Sequence, residues 1–268
     1  MVRSVIFFIF FLISIRLQAQ EVRELATDRP GLGSDAPVTV PKGFLQLEAG
    51  FQLDRDRFSV GTIEVEENVW AYPTTLLRYG ILNHWELRVS FDALSIESSR
   101  TNSSLTQTAQ GISPISIGSK VMLTEEEGWI PTMALQFGLS LGNSGSEPFQ
   151  SEFTQPTITW LMTKSITEKL GATVNLGAEW GDTSPAADYS YALSLDMSLQ
   201  DKLGAFLEFY GNWPERSSGA HAVNYGLTYL IFNDLQFDIS SGVGLNAEAV
   251  DYFIGIGLSG RIDVLNKQ

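Results

Sequence analysis

The sequence predicts an all-β fold, a transmembrane antiparallel β-barrel of about twelve strands with short periplasmic turns and longer extracellular loops. Three observations predict it. Apolar and polar residues alternate with a period of two from residue 43 to residue 262, as in Leu235-Gln-Phe-Asp-Ile-Ser-Ser-Gly-Val-Gly-Leu-Asn246. The connections alternate between short and long. The polar faces are built from small residues, for example Gly171, Thr173, Asn175 and Gly177, whereas a solvated sheet face usually carries Lys, Glu and Thr. A soluble sandwich would pack two apolar faces together. Small polar residues inside and an apolar band outside fit a narrow lumen in lipid instead, with Tyr189, Tyr191, Leu193, Leu195, Met197 and Leu199 as one lipid-facing stripe.

In chain order, residues 1–20 come first. Arg3 precedes the apolar run Val5–Ile15, and Leu17-Gln-Ala-Gln20 follows, which reads as a secretory signal peptide cut after Ala19 or Gln20. The run is shorter than the ~20 residues of a spanning helix. An uncleaved N-terminal anchor is the alternative, and export follows from either. The segment 21–42 is too polar and too rich in Pro and Gly for a spanning strand. It carries Asp28, Arg29 and Asp35, and is expected either to enter the lumen as a plug, pairing with inward Arg78, Arg88 or Glu86, or to lie along the periplasmic rim as a strap.

The barrel itself is expected over residues 43–262. In the first strand, 43–54, Leu45, Leu47, Ala49, Phe51 and Leu53 oppose Gln46, Glu48, Gly50 and Gln52. The remaining strands are expected at 68–80, 84–93, 112–124, 131–142, 156–165, 169–181, 188–200, 203–213, 221–232, 235–246 and 251–262. Their lengths suit the ~9–11 residues that a tilted strand needs to cross hydrocarbon. Short turns fall at 81–83, 125–129, 166–168, 201–202 and 233–234; long loops include 55–67, 94–111 and 143–155. With the N-terminus in the periplasm, that parity puts every short turn on the periplasmic rim, and an even strand count returns the C-terminus there. Trp70, Trp180 and Trp213 lie at loop ends, and Trp85 and Trp129 at turn ends, as interfacial aromatics do; Trp160 falls mid-strand. Residues 263–268 form a tail.

Composition excludes several functions. The formal net charge is −14, and removal of Arg3 and Arg16 leaves 15 basic against 31 acidic residues, near −16. Nucleic acid is therefore not an expected partner, because phosphate binding needs Lys and Arg clusters. With no cysteine there is neither a thiol nucleophile nor a thiolate metal site. Phosphate-loop, dinucleotide and His-Glu-x-x-His motifs are missing, so no cofactor, metal or catalytic residue is expected. The acidic runs Glu64-Val-Glu-Glu67 and Glu125-Glu-Glu127 read as solvated connections. An outer-membrane lipid hydrolase would need a Ser-His-Asn constellation; His84 sits in a turn, and His221 starts a strand beside Ser217, Ser218 and Asn224, without the surrounding phospholipase pattern.

Several motifs resemble a family of bacterial outer-membrane barrels named for transport in the meta-pathway of phenol degradation. They are Thr27-Asp-Arg-Pro30; Pro37-Val-Thr-Val-Pro-Lys-Gly43; Leu76-Leu-Arg-Tyr-Gly80 followed by Trp85-Glu-Leu-Arg88; Phe206-Leu-Glu-Phe-Tyr-Gly211; and Asp251-Tyr-Phe-Ile-Gly-Ile-Gly-Leu258. The resemblance implies an outer-membrane barrel that moves a small molecule, with an aromatic compound or organic acid as the implied class. The chain departs from the usual aromatic end of such barrels, continuing through Asp263-Val-Leu-Asn-Lys-Gln268.

The alternation directs Glu48, Arg78, Glu86, Arg88, Lys120, Glu179, Asp196, Glu208, Asp238 and Arg261 inward. Such groups either fill the interior as a charge network or set selectivity. The expected function is passage of a small solute; a non-conducting structural or adhesive barrel, and a soluble periplasmic binding protein, are the competing classes. Expected partners are outer-membrane lipid and lipopolysaccharide, the barrel-assembly machinery and the solute.

Overall fold

The structure, a computed structural model, describes residues 25–100, 106–181, 186–215 and 217–265. The expected signal peptide at 1–20 and residues 266–268 of the tail lie outside the described residues. Thirteen strands follow one another among them: β1 (Phe44–Val60), β2 (Ile63–Leu82), β3 (Trp85–Arg100), β4 (Thr106–Ile112), β5 (Ile115–Thr124), β6 (Thr132–Leu141), β7 (Thr154–Thr167), β8 (Leu170–Trp180), β9 (Ala187–Gln200), β10 (Leu203–Trp213), β11 (His221–Phe232), β12 (Leu235–Gly244) and β13 (Tyr252–Asp263). No helix among them is long and apolar enough to cross a membrane.

The strands form one antiparallel ring. Each strand from β5 to β13 pairs with its successor, β13 pairs with β1, β1 with β2, β2 with β3, and β3 with β5. The first and last strands meet in register from Phe44↔Asp263 to Arg55↔Tyr252, which closes the ring. β4 and β5 occupy one place in the ring. β5 pairs with the turn-side half of β3, from Trp85↔Val121 to Ser90↔Ser116, and β4 with its far half, from Ala93↔Ile112 to Ser99↔Thr106. The barrel is therefore twelve-stranded and closed.

Two expected loops and one expected strand are corrected. Residues 55–67 are mostly strand, since β1 runs to Val60 and β2 starts at Ile63 around the tight turn at Gly61, whose φ is +65°. Residues 94–111 belong largely to β3 and β4. The fourth stave, expected as one strand over 112–124, breaks at Ser113-Pro114, because a proline has no N–H to give to a ladder. The segment 142–149 covers that break: Ser146 Oγ accepts the Ile112 N–H at 2.9 Å and Ser144 Oγ accepts the Ile115 N–H at 2.8 Å.

The faces are oriented as in a membrane barrel. Leu193, Ile239, Ile254 and Tyr225 point out and are exposed, Leu193 by 46%, while Arg78, Glu86, Lys120, Glu208 and Asp238 point in and are 0% exposed. Transferring buried charge out of water is favourable only with partners, so the interior must supply them.

Candidate functional site

The partners come from the segment 25–42, which precedes β1 and crosses the lumen inside the ring. It enters at the turn rim, where the Ala26 carbonyl accepts from Gln46 Nε2 at 2.8 Å and Arg78 Nη1 at 3.0 Å. It returns to the same rim, where Thr39 Oγ1 donates to the Asn83 carbonyl at 2.8 Å and the Val40 N–H to Glu86 Oε2 at 2.7 Å. Between these ends it touches strands on all sides of the barrel.

Asp28 is the centre of the first contact. Its carboxylate accepts from Arg88 Nη1 and from Lys120 Nζ at 3.0 and 3.1 Å, with Arg78 Nη1 3.5 Å away. Burial acts to raise the Asp28 carboxyl, but the Arg78, Lys120 and Arg88 charges outweigh it and hold the group well below the usual carboxylate range. Arg78 is shared among carboxylates of the barrel wall: Nη1 donates to Glu48 at 2.9 Å, while Nε and Nη2 fork onto Glu86 at 2.9 and 3.0 Å. Glu48 Oε2 in turn accepts the backbone N–H groups of Asp28 and Arg29, both at 2.9 Å. Arg88 Nη2 reaches Asp35 at 3.2 Å, and Lys120 Nζ donates to the Ala36 carbonyl at 2.6 Å. The hub thus joins three cations, Arg78, Arg88 and Lys120, to four carboxylates, Asp28, Asp35, Glu48 and Glu86.

Two further contacts lie across the lumen. Arg29 bridges to Asp238 on β12, Nη2–Oδ1 at 3.1 Å and Nε–Oδ2 at 3.3 Å, and donates from Nη1 to Thr74 Oγ1 at 3.0 Å. Glu86, one of the barrel residues expected to pair with this segment, meets it at the Val40 N–H and also accepts from Arg78 and Arg88. The guanidinium lies over the backbones of β1 and β13. A Cβ built on Gly50 would come within 2.5 Å of it, and one on Gly257 within 2.2 Å, so these two glycines make the slot it occupies. At the third contact, Glu208 on β10 accepts the N–H groups of Leu32 and Gly33 at 3.2 and 3.0 Å, the Ser34 hydroxyl, and Asn224 Nδ2 at 2.8 Å.

Of the inward residues read from the sequence, Glu48, Arg78, Arg88 and Lys120 therefore meet Asp28, and Glu86 joins the same hub through Arg78 and Arg88, while Glu208 and Asp238 hold the segment at its far side. Glu179 and Asp196 stand apart from it. Asp196 accepts from Ser194 and Thr173 hydroxyls at 3.2 and 3.3 Å. Arg261 lies at the turn rim with Nε donating to Asp234 at 2.7 Å. Gln136, Asn175 and Asn224 also serve the site, holding Asp35, the Asp35 carbonyl and Glu208; the sequence places Asn175 on a polar face and Asn224 beside His221 without linking either to the segment, and for Gln136 the signal is its place in the polar half of its strand. Beside the segment, on its turn side, remains a cavity of about 830 Å³, lined in part by Thr163, Thr173, Ser194, Asp196, Thr228 and Gln236.

His221 and Asn224 lie on opposite faces of β11. The His221 ring faces outward, its Nδ1 2.8 Å from the Tyr191 hydroxyl and its ring beside Trp213, whereas Asn224 faces the lumen. They do not converge on one site.

A closed twelve-stranded ring, apolar outside and polar within, with an N-terminal segment bound in its lumen, defines the class as an outer-membrane-type β-barrel. Residues 27–262 match the family described as "Putative MetA-pathway of phenol degradation", and the chain belongs to that family. The fold is similar to the COG4313 outer membrane channel from Pseudomonas putida F1, at 13% identity and a TM-score of 0.63, covering 87% of this chain and 99% of that one. It is also similar to the translocator domain of the autotransporter NalP from Neisseria meningitidis, at 14% identity and a TM-score of 0.54, covering 88% and 90%. A KdgM porin in complex with disordered oligogalacturonate matches at 9% identity and a TM-score of 0.52, covering 80% and 98%. No curated protein matches the chain.

Proposed function

We propose that this protein is a passive outer-membrane channel for a small solute, exported with removal of residues 1–20, in which residues 21–42 act as a plug of the 43–262 barrel. The observation that carries the reading is the lumen itself. Its wall is lined by small polar and charged side chains, and beside residues 25–38 it keeps a cavity of about 830 Å³, the size of a typical small-molecule site. A barrel whose sole task was to persist in lipid would gain by filling that space with packed side chains. The COG4313 protein and the KdgM porin are channels on this fold, which supports the same reading. Lipid and lipopolysaccharide would cover the apolar band, and the barrel-assembly machinery would insert it.

A second reading, a structural barrel that does not conduct, draws on the crossing itself, because the segment is tied to β1, β2, β3, β5, β10 and β12. Liposome swelling separates the two. Sugars, amino acids and neutral aromatic compounds are expected to enter proteoliposomes slowly with the natural chain and several-fold faster once Asp28→Ala and Arg29→Ala loosen the segment. Permeability equal to protein-free vesicles for both chains would remove the channel reading.

A further inference from the structure

The charges inside this barrel are segregated by whether they have a partner. Among the described residues, each lumenal cation is in an ion pair: Arg29 with Asp238, Arg78 with Glu48 and Glu86, and Arg88 and Lys120 with Asp28. Arg261, at the turn rim, pairs with Asp234. The carboxylates are not so matched. On the loop side of residues 25–42, Asp54 accepts only from Gln52 Nε2 at 2.8 Å, and Asp92 from the Thr75 N–H at 3.1 Å. Glu179 of β8 and Asp188 of β9 stand directly opposite each other in the ladder, two like charges side by side. On the turn side, Asp196 has hydroxyl partners and no cation. Even Glu208, within the crossing, is held by amides and a hydroxyl.

Exposure supplies a second, independent observation. Glu179 and Asp196 point inward yet are exposed, so each faces open lumen, one on either side of residues 25–42, rather than packed atoms. Asp196 lines the cavity of about 830 Å³. The lysines at the mouth of that cavity, Lys169 and Lys202, lie beside Glu168 and Asp201 in their turns, which leaves the rim mixed in sign.

Resting on the channel reading, we infer that the open lumen selects cations and neutral solutes against anions, with Asp54, Asp92, Glu179 and Asp196 as the residues that set the preference. A carboxylate or phosphate that passes either mouth meets carboxylates held in no ion pair, in a confined space where field lines are focused. An amine or an uncharged aromatic meets no such barrier. Organic acids are therefore the disfavoured members of the solute class.

Reversal potentials across planar bilayers test this. In a tenfold KCl gradient the natural chain is expected to pass K⁺ several-fold more readily than Cl⁻. The combined Asp54→Asn, Asp92→Asn, Glu179→Gln and Asp196→Asn chain is expected to bring the ratio towards one while still conducting. Should the combined chain fail to fold, Asp196→Asn and Glu179→Gln, whose side chains face solvent, are each expected to lower the ratio by themselves. A reversal potential of zero or on the Cl⁻ side overturns the selectivity and leaves the channel reading standing, as does a ratio unmoved by neutralisation. Absence of conductance from both the natural chain and a 25–38 deletion overturns the two together.

Discussion

At the scale of single residues, Asp28 shows how a buried charge is made tolerable. Desolvation of a carboxylate works against ionisation, and three cations at hydrogen-bonding or ion-pair distance reverse the outcome. Asp28→Ala removes from Arg88 and Lys120 at once the carboxylate they share. Breaking one side of a buried pair costs about 3–5 kcal/mol, so this variant is expected to release the segment, visible as cleavage near residue 28 by protease added on the turn side while the barrel stays intact. Asp28→Asn keeps the shape and loses the charge, and should fall between. The direction of the Asp28 shift also fixes a pH dependence. A carboxyl whose folded pKa is lowered contributes stability that is complete above its unfolded pKa of about 4 and is lost as pH falls through the lower folded value. Anchoring at Asp28 is thus expected to stay constant from pH 8 to pH 5. Protease resistance of the segment measured across that range checks it, and a loss by pH 5 would mean that another group holds the anchor.

At the scale of elements, the crossing segment and the two strands beneath Arg29 form one unit. Gly257→Val is expected to lift the guanidinium from its slot and break the Asp238 pair, since a Cβ there already lies 2.2 Å from Nε. Gly255→Ala, two residues away on the same face, has 3.1 Å to its nearest side-chain atom, Ser240 Oγ, and should leave the pair intact. Conductance rising for the first variant and unchanged for the second is the outcome that supports the slot. Much at this scale was legible in the sequence. Between bulges a strand keeps period two, so the inward position of Glu48, Arg78 and Asp238 follows from parity. Which of them touch does not follow, because contacts across a lumen depend on the stagger between strands, and that is fixed only when the ring closes. The outer hairpin is not legible in the alternation for a different reason. Glu64, Glu66, Glu67 and Glu97 lie on strand portions beyond the apolar band, and a strand wetted on both faces has no need to alternate.

At the scale of the molecule, the barrel reverses a soluble protein: its exposed surface is apolar and its buried core is a polar network. Stability then divides between the backbone ladder, closed on itself through β1 and β13, and the interior ion pairs. The combined loss of Asp28 and Arg29 is expected to leave the ring closed. Unheated samples of that variant should still migrate faster on a denaturing gel than boiled ones, as the natural chain should. A variant that migrates as the boiled form without heating would show that the segment holds the ring itself together.

The slot of Arg29 carries a consequence for the order of assembly. Its floor is made by Gly50 of β1 and Gly257 of β13, and its counter-charge by Asp238 of β12. Neither the floor nor the counter-charge is complete until the last strand has joined the first. The residue that precedes every strand in the chain is therefore housed after all of them, so in a time course of membrane insertion protection of residue 29 should lag behind protection of the strands.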